Sequence, residues 1–306
     1  MRMRMGGIVL LVLVLMIATS SVGNAQSSAD TGWSLSGTFN LTHTQSAYST
    51  NWDGDEQGQI SWKSQLNVIA EKQLSDLFHN RNTLDLEYGQ TQTQDREIEA
   101  WTRPTKNADK IEFETVLRFT LHGFVDPYVS GRFLSQFTDK RSGEIEWVNP
   151  ITLTESAGIA KTLLKNEDKK QEWLARLGLG IQQHIDRKVP FVDGNGNLDY
   201  ESKTTTYAGI ELVSELISQV INENLSVNSK LIIFQAFYNS EKDDLEGLEN
   251  EDYWQSPDID WETVFTANIT KVIMVNLTTR LLYDKEIDKG GRFKETLAVG
   301  VTYTLF

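Results

Sequence analysis

Lys294–Phe306 reads K-E-T-L-A-V-G-V-T-Y-T-L-F, and the way its residues divide between two faces decides the fold. In an extended strand successive side chains point to opposite sides. Leu297, Val299, Val301, Tyr303 and Leu305 therefore share one face, while Ala298, Gly300, Thr302 and Thr304 share the other and are small or weakly polar. Apolar on one side and finishing on aromatics, the stretch fits the closing strand of a barrel set in lipid, with Tyr303 and Phe306 as its insertion signal. Phe306 is out of phase with Tyr303. That predicts either a bulge turning it outward at the rim or an insertion machinery that tolerates the shift.

Working back from this strand, the same period-two alternation appears eleven more times. Trp33-Leu35-Phe39-Leu41, Ile60-Trp62-Leu66-Val68 and Trp173-Ala175-Leu177-Leu179-Ile181 are clear examples, each opposed by polar residues. Links between strands alternate in length. Those at 46–58, 91–109, 138–149, 186–202 and 239–258 are long and polar; those at 72–82, 121–124, 164–170, 217–224 and 270–273 are shorter. Short periplasmic turns and long external loops belong to an up-and-down transmembrane barrel. The expectation is an all-β antiparallel barrel of about twelve strands over residues 32–306, with both termini periplasmic. Strand plus link averages about 23 residues, longer than the tight-turn spacing of a soluble sandwich. Two aromatic girdles follow from the topology: Trp33, Trp173 and Tyr303 near the periplasmic rim, and Trp62, Tyr88, Phe137, Trp261 and Tyr283 near the outer one.

Residues 1–25 have the pattern of a secretory signal peptide: Arg2 and Arg4, an apolar core from Ile8 to Ala18, and a small-residue cleavage site at Gly23-Asn24-Ala25. A short segment, 26–31, follows. No later apolar run approaches the roughly 20 residues of a spanning helix. Setting aside Arg2 and Arg4, 27 Lys and Arg oppose 43 Asp and Glu, a net charge of −16 that argues against a nucleic-acid partner. The chain has no Cys, which excludes disulfides and thiol chemistry.

Several stretches carry a resemblance to a family. They are Asn51-Trp52-Asp53-Gly54 with the strand after it, Leu84-Asp85-Leu86-Glu87-Tyr88-Gly89, Asp126-Pro127-Tyr128-Val129-Ser130-Gly131 with Gln136-Phe137-Thr138, and the closing strand. Together these resemble an outer-membrane β-barrel family of Bacteroidota-type bacteria catalogued as a domain of unknown function (family 3078). The resemblance implies location and fold, in the outer membrane of a Gram-negative bacterium, and brings no activity with it.

With apolar positions facing lipid, the lumen receives Lys63, Asp85, Glu87, Glu112, Glu114, Arg118, Arg132, Arg176, Glu211, Lys230, Glu262 and Arg280. Six acids and six bases do not impose a strong field of one sign. Twelve strands lie between small side-chain-filled barrels and open porins. The preferred function is therefore a narrow, weakly selective channel or passive transporter of small solutes. A non-conducting structural or interaction barrel, presenting the acidic stretch 241–260 with Tyr253 and Trp254 to an external or periplasmic partner, is the second reading. Other partners are outer-membrane lipid and lipopolysaccharide, and the barrel-assembly machinery during insertion.

Enzymatic chemistry finds little support. His79 and His122 are expected in periplasmic turns, and His43 and His184 on opposite sides of the circle, where no triad can assemble. The run Asp193–Asp199 has calcium-like oxygen spacing, but Leu198 stands where an EF-hand needs Gly and Thr204 where it needs Glu, so it reads as a polar turn. No metal or other cofactor is expected.

Overall fold

The computed structural model describes residues 32–48, 57–95, 100–121, 123–166, 170–219 and 224–305. The signal-peptide segment, the Asn51-Trp52 motif, His122 and Phe306 lie outside them. Twelve long strands follow one another in chain order: β1 Ser34–Ser46, β2 Gln59–Ser75, β3 Phe78–Asp95, β4 Thr105–Phe119, β5 Asp126–Ser135, β6 Ile151–Asn166, β7 Gln171–Val192, β8 Leu198–Gln219, β9 Leu225–Asn239, β10 Asp258–Asn268, β11 Ile273–Asp284 and β12 Asp288–Thr304. Each pairs antiparallel with its chain neighbours. β1 also pairs with β12, Phe39 opposite Tyr303 and Leu41 opposite Val301, so the sheet closes on itself. The result is an up-and-down twelve-stranded barrel without edges.

Alternation decides which residue goes where. The apolar face of β7 is exposed on the outside (Leu177, Leu179 and Ile181 at 48%, 64% and 47%), as are Leu297, Val299 and Val301 of β12. Charged and polar residues go inside: Arg176 and Glu211 are each 1% exposed. This inversion of the usual arrangement leaves a small apolar core, Tyr128, Ala160 and Leu174 with Val116 packed on them.

One rim carries the start of β1 and the short turns, for example Asp76–Leu77 between β2 and β3. The opposite rim carries most of the long links. One of the expected long links is mostly strand. The stretch 186–202 is not a long loop, because β7 and β8, 22 residues each, run on as one hairpin and leave 193–197 as its tip. There Asp193 Oδ1 accepts hydrogen bonds from the backbone N–H of Asn195 and Asn197, and Gly196 adopts φ +83°, a value an L side chain resists. Between β11 and β12 the link is only 285–287. His79 is likewise not in a turn. It lies in β3, with its Nε2 3.7 Å from a Glu71 carboxylate oxygen, because strand pairing with β2 continues to Phe78.

Candidate functional site

Each of the twelve charged residues expected in the lumen occupies an inward strand position. They are not spread evenly. On one side of the barrel they join across the interior, linking strands that are not neighbours in the sheet. From β7, Arg176 Nη2 donates to Glu114 Oε1 of β4 at 2.7 Å. From β9, Lys230 Nζ reaches Glu112 Oε1 at 2.6 Å and Glu114 Oε2 at 3.4 Å. Arg132 of β5 donates to Glu211 of β8 at 2.5 Å. Arg81 of β3 stands 3.7 Å from Glu215 of β8. Ser156 Oγ donates to the second Glu211 oxygen at 2.7 Å and meets Ser130 at 2.8 Å.

These crossbars form where the facing walls are thin. A Cβ at Gly178 would lie 2.5 Å from the Ala157 carbonyl oxygen and 2.7 Å from the Tyr128 hydroxyl; one at Gly209 would lie 2.8 Å from the Phe234 ring. Glycine therefore lets the Tyr128 and Phe234 rings lie against the inner wall, both almost completely buried. Around these rings and crossbars the interior is filled by side chains.

The rest of the lumen is not filled. A cavity of about 250 Å³ towards the short-turn rim is lined by Asn67, Thr83, Asp85, Glu215, Asn228 and Lys230 among others. A second of about 360 Å³ towards the long-link rim is lined by Thr42, Ser61, Lys63, Thr91, Thr278 and Lys294 among others. Glu262 and Arg280 border both. Arg280 is held by a bidentate pair of hydrogen bonds to Asp260, 2.9 and 2.7 Å. Lys63 stands 3.6 Å from Glu87. Lys110, buried between β3 and β4, pairs with Asp85 and lies 3.5 Å from Glu112, supplying the base that the acidic patch on these strands requires. Of the remaining expected residue, Arg118, one nitrogen donates to Thr162 Oγ1 and another stands 3.7 Å from Asp126.

Five charges that the sequence reading did not assign to the lumen also line it: Arg81, Lys110, Glu215, Asp260 and Lys294. Each is in phase with an inward residue already named. Lys110 lies two positions before Glu112, Asp260 two before Glu262, and Glu215 four after Glu211. Carrying the alternation past the apparent strand ends would have found them.

Trp33, Trp173 and Tyr303 are exposed near the short-turn rim, and Trp261 is exposed near the other. Trp62 and Tyr88 pack with ring centroids 6.0 Å apart, and Tyr88 meets Phe137 edge-on at the same distance. The indole N–H groups of Trp173 and Trp261 donate to Ser214 and Ser229.

Beyond the lumen, two loop structures stand out. In the link between β5 and β6, Asn149 donates to both Asp139 and Asp186, and the Arg141 guanidinium bridges the same two carboxylates. Burial pushes the Asp139 carboxyl up, but hydrogen bonds from Arg141 and Asn149 outweigh it and hold the group down to about 2. In the acidic link between β9 and β10, Lys289 pairs with Glu249 at 2.6 Å, Lys285 with Asp252 at 3.6 Å and Lys203 with Glu241 at 2.9 Å. Lys285 also lies over the Tyr253 ring. His43 meets Gln45, and His184, six strands away from it around the circle, meets Thr152 on the neighbouring strand. Among the described residues no group of three or more His, Cys, Asp or Glu is arranged to hold a metal ion.

Fold and lumen together define a closed twelve-stranded antiparallel barrel with a charged interior. Residues 43–140 match the model of a family described as "Protein of unknown function (DUF3078)". The chain is similar to an outer membrane channel from Pseudomonas putida F1, with 12% identity, TM-score 0.41, and coverage of 92% of this chain and 99% of that one. It is also similar to the β-domain of the Bordetella autotransporter BrkA (10% identity, 89% and 98% covered, TM-score 0.34). The third, Salmonella typhi OmpF in complex with daunomycin, shares 10% identity with 89% and 97% covered and a TM-score of 0.27. No curated protein matches the chain.

Proposed function

We propose that this barrel spans a bacterial outer membrane, both termini on the periplasmic side, and gives small hydrophilic solutes a narrow, weakly selective passage. Three features support the membrane. The outer wall is apolar and exposed over many strands, which water disfavours. Charges are gathered inside instead. Closure of the sheet pairs the backbone groups between neighbouring strands, as a spanning sheet requires. On this reading the tryptophans sit at the two headgroup levels, the long-link rim meets lipopolysaccharide, and the assembly machinery receives the last strand.

One observation carries the passage: the crossbars from β3–β5 to β7–β9 fill one part of the lumen, while two polar cavities that share Glu262 and Arg280 lie beside them. Because acids and bases both line this route, discrimination by charge is weak. The reading assigns no catalytic step: His79 stands by the Glu71 carboxylate and His184 by the Thr152 hydroxyl, and neither is given a part in the passage.

Single-channel recording on refolded protein in planar bilayers tests it. The expected result is small, regular conductance steps with modest preference between cation and anion. A folded barrel that stays silent contradicts the passage and favours a non-conducting interaction barrel, with the acidic link between β9 and β10 as its external contact.

A further inference from the structure

The upper of the two cavities, the one towards the long-link rim, is lined by two charges that form no close ion pair among the described residues. Of the charged side chains on its inner wall, Lys63 is matched by Glu87 and Arg280 by Asp260. Glu262 has no cation within 4.0 Å among the described residues, and Lys294 has no anion; the Lys294 ammonium instead donates to the Asn107 carbonyl oxygen at 2.8 Å. Elsewhere the lumen's charges are heavily paired, up to three cations around one carboxylate at Glu114. Glu295 also borders this cavity but shares the outward phase of Leu297 and Val299, so two opposite charges are left over on the inward face.

Register fixes their relation. Glu262 lies directly opposite Arg280 on the next strand, and Arg280 directly opposite Lys294 on the one after. Glu262, Arg280 and Lys294 thus form one row across β10, β11 and β12. At ~4.8 Å between strands, the two ends of the row are roughly 10 Å apart at the backbone, and long side chains can reach towards each other from there. Around them the wall carries hydroxyl groups, Thr42, Ser61, Thr278 and Thr296. The volume, about 360 Å³, lies at the small end of the ~300–1,000 Å³ range of small-molecule sites.

The geometry points to a binding site for a small zwitterion of the amino-acid class: its ammonium meets Glu262, its carboxylate meets Lys294 with Arg280 beside it, and its polar remainder meets the hydroxyls. A solute with only one of these charges leaves either Glu262 or Lys294 without a partner, which costs binding. The inference rests on the passage proposed above, because solute must reach the cavity, and it names the solute class that passage would favour.

Equilibrium dialysis of the refolded full-length barrel in detergent, with radiolabelled L-serine, tests it against two single-charge probes, lactate and ethanolamine. Saturable serine binding about tenfold tighter than either probe is expected, equivalent to about 1.4 kcal/mol. Glu262→Gln should remove the preference over lactate, and Lys294→Gln the preference over ethanolamine. Neither residue holds an ion pair, so both variants should fold, which heat-modifiability on a gel verifies. The comparison of the three probes on the unsubstituted barrel does not depend on any variant. Absence of saturable serine binding, equal affinity for all three probes, or folded variants that keep the full preference would each overturn the site. A silent barrel that binds serine would overturn the passage alone, and a conducting barrel that does not bind it would overturn the site alone.

Discussion

Replacing Glu114 by Gln removes one negative charge from the most connected point of the lumen while keeping the side chain's size. Glu114 is 5% exposed and receives Arg176 at 2.7 Å, with Lys230 at 3.4 Å and Arg132 at 4.0 Å. Lys230 and Arg132 keep close partners in Glu112 and Glu211. Arg176 does not: it is 1% exposed, its other carboxylate is Glu215 at 3.6 Å, and its Nε and Nη1 have no hydrogen-bond partner among the described residues. Breaking a buried pair by removing one member costs about 3–5 kcal/mol, because the remaining charge is stranded. Glu215 offsets part of this, so the loss expected for Glu114→Gln is about 3 kcal/mol. Removing both members is different: Glu114→Gln with Arg176→Met strands no charge and should recover most of the loss. Urea unfolding of the barrel in lipid vesicles, followed by tryptophan fluorescence, measures both variants. A single variant within about 1 kcal/mol of the parent, or a double variant as unstable as the single one, would refute the crossbar as a structural tie.

Gly178→Ala should destabilise by about 1–3 kcal/mol, since the added methyl meets a carbonyl oxygen and the Tyr128 hydroxyl at overpacked distance; an unchanged urea midpoint would show that the Tyr128 ring moves aside freely. Asp139 gives the β5–β6 link a pH dependence. Its folded value, about 2, is below the ordinary ~3.9 of the unfolded chain, so its contribution is complete above pH ~4 and is lost as pH falls towards 2. Hydrogen exchange of 136–150 should accelerate over that window, and Asp139→Asn should flatten the profile. Lys285→Ala with Lys289→Ala should release the acidic link between β9 and β10, raising its cleavage by added protease with the barrel intact; equal cleavage would mean its own turns hold it.

Much of this architecture could be read in the sequence because a barrel wall has only two sides. Alternation such as Leu297-Val299-Val301 against small residues tells lipid side from lumen side without knowing any partner, and counting such stretches reaches twelve. Strand ends were harder. Alternation weakens where β7 and β8 run beyond the roughly 9–11 residues that span a bilayer, so their hairpin looked like a loop, and strands cut short hid Lys110 and Glu215. Pairing across the lumen was out of reach. Whether Arg176 meets Glu114 or Lys230 meets Glu112 depends on the tilt and shear of the closed sheet, which place strands five or fewer apart in sequence order face to face. The same geometry decides which charges remain unpaired, so the Glu262–Lys294 row becomes visible only in three dimensions.

The central claim is that solute passes along one side of the lumen and not the other. Because the chain lacks cysteine, single thiols can be introduced without background, at Thr278 on the wall of the upper cavity and at Ser156 in the crossbar half. Conductance recorded while a charged thiol-specific reagent is added measures which thiol lines the path. Block of the Thr278→Cys barrel with the Ser156→Cys barrel unaffected is the predicted result; equal block of both, or block through Ser156 alone, would contradict it.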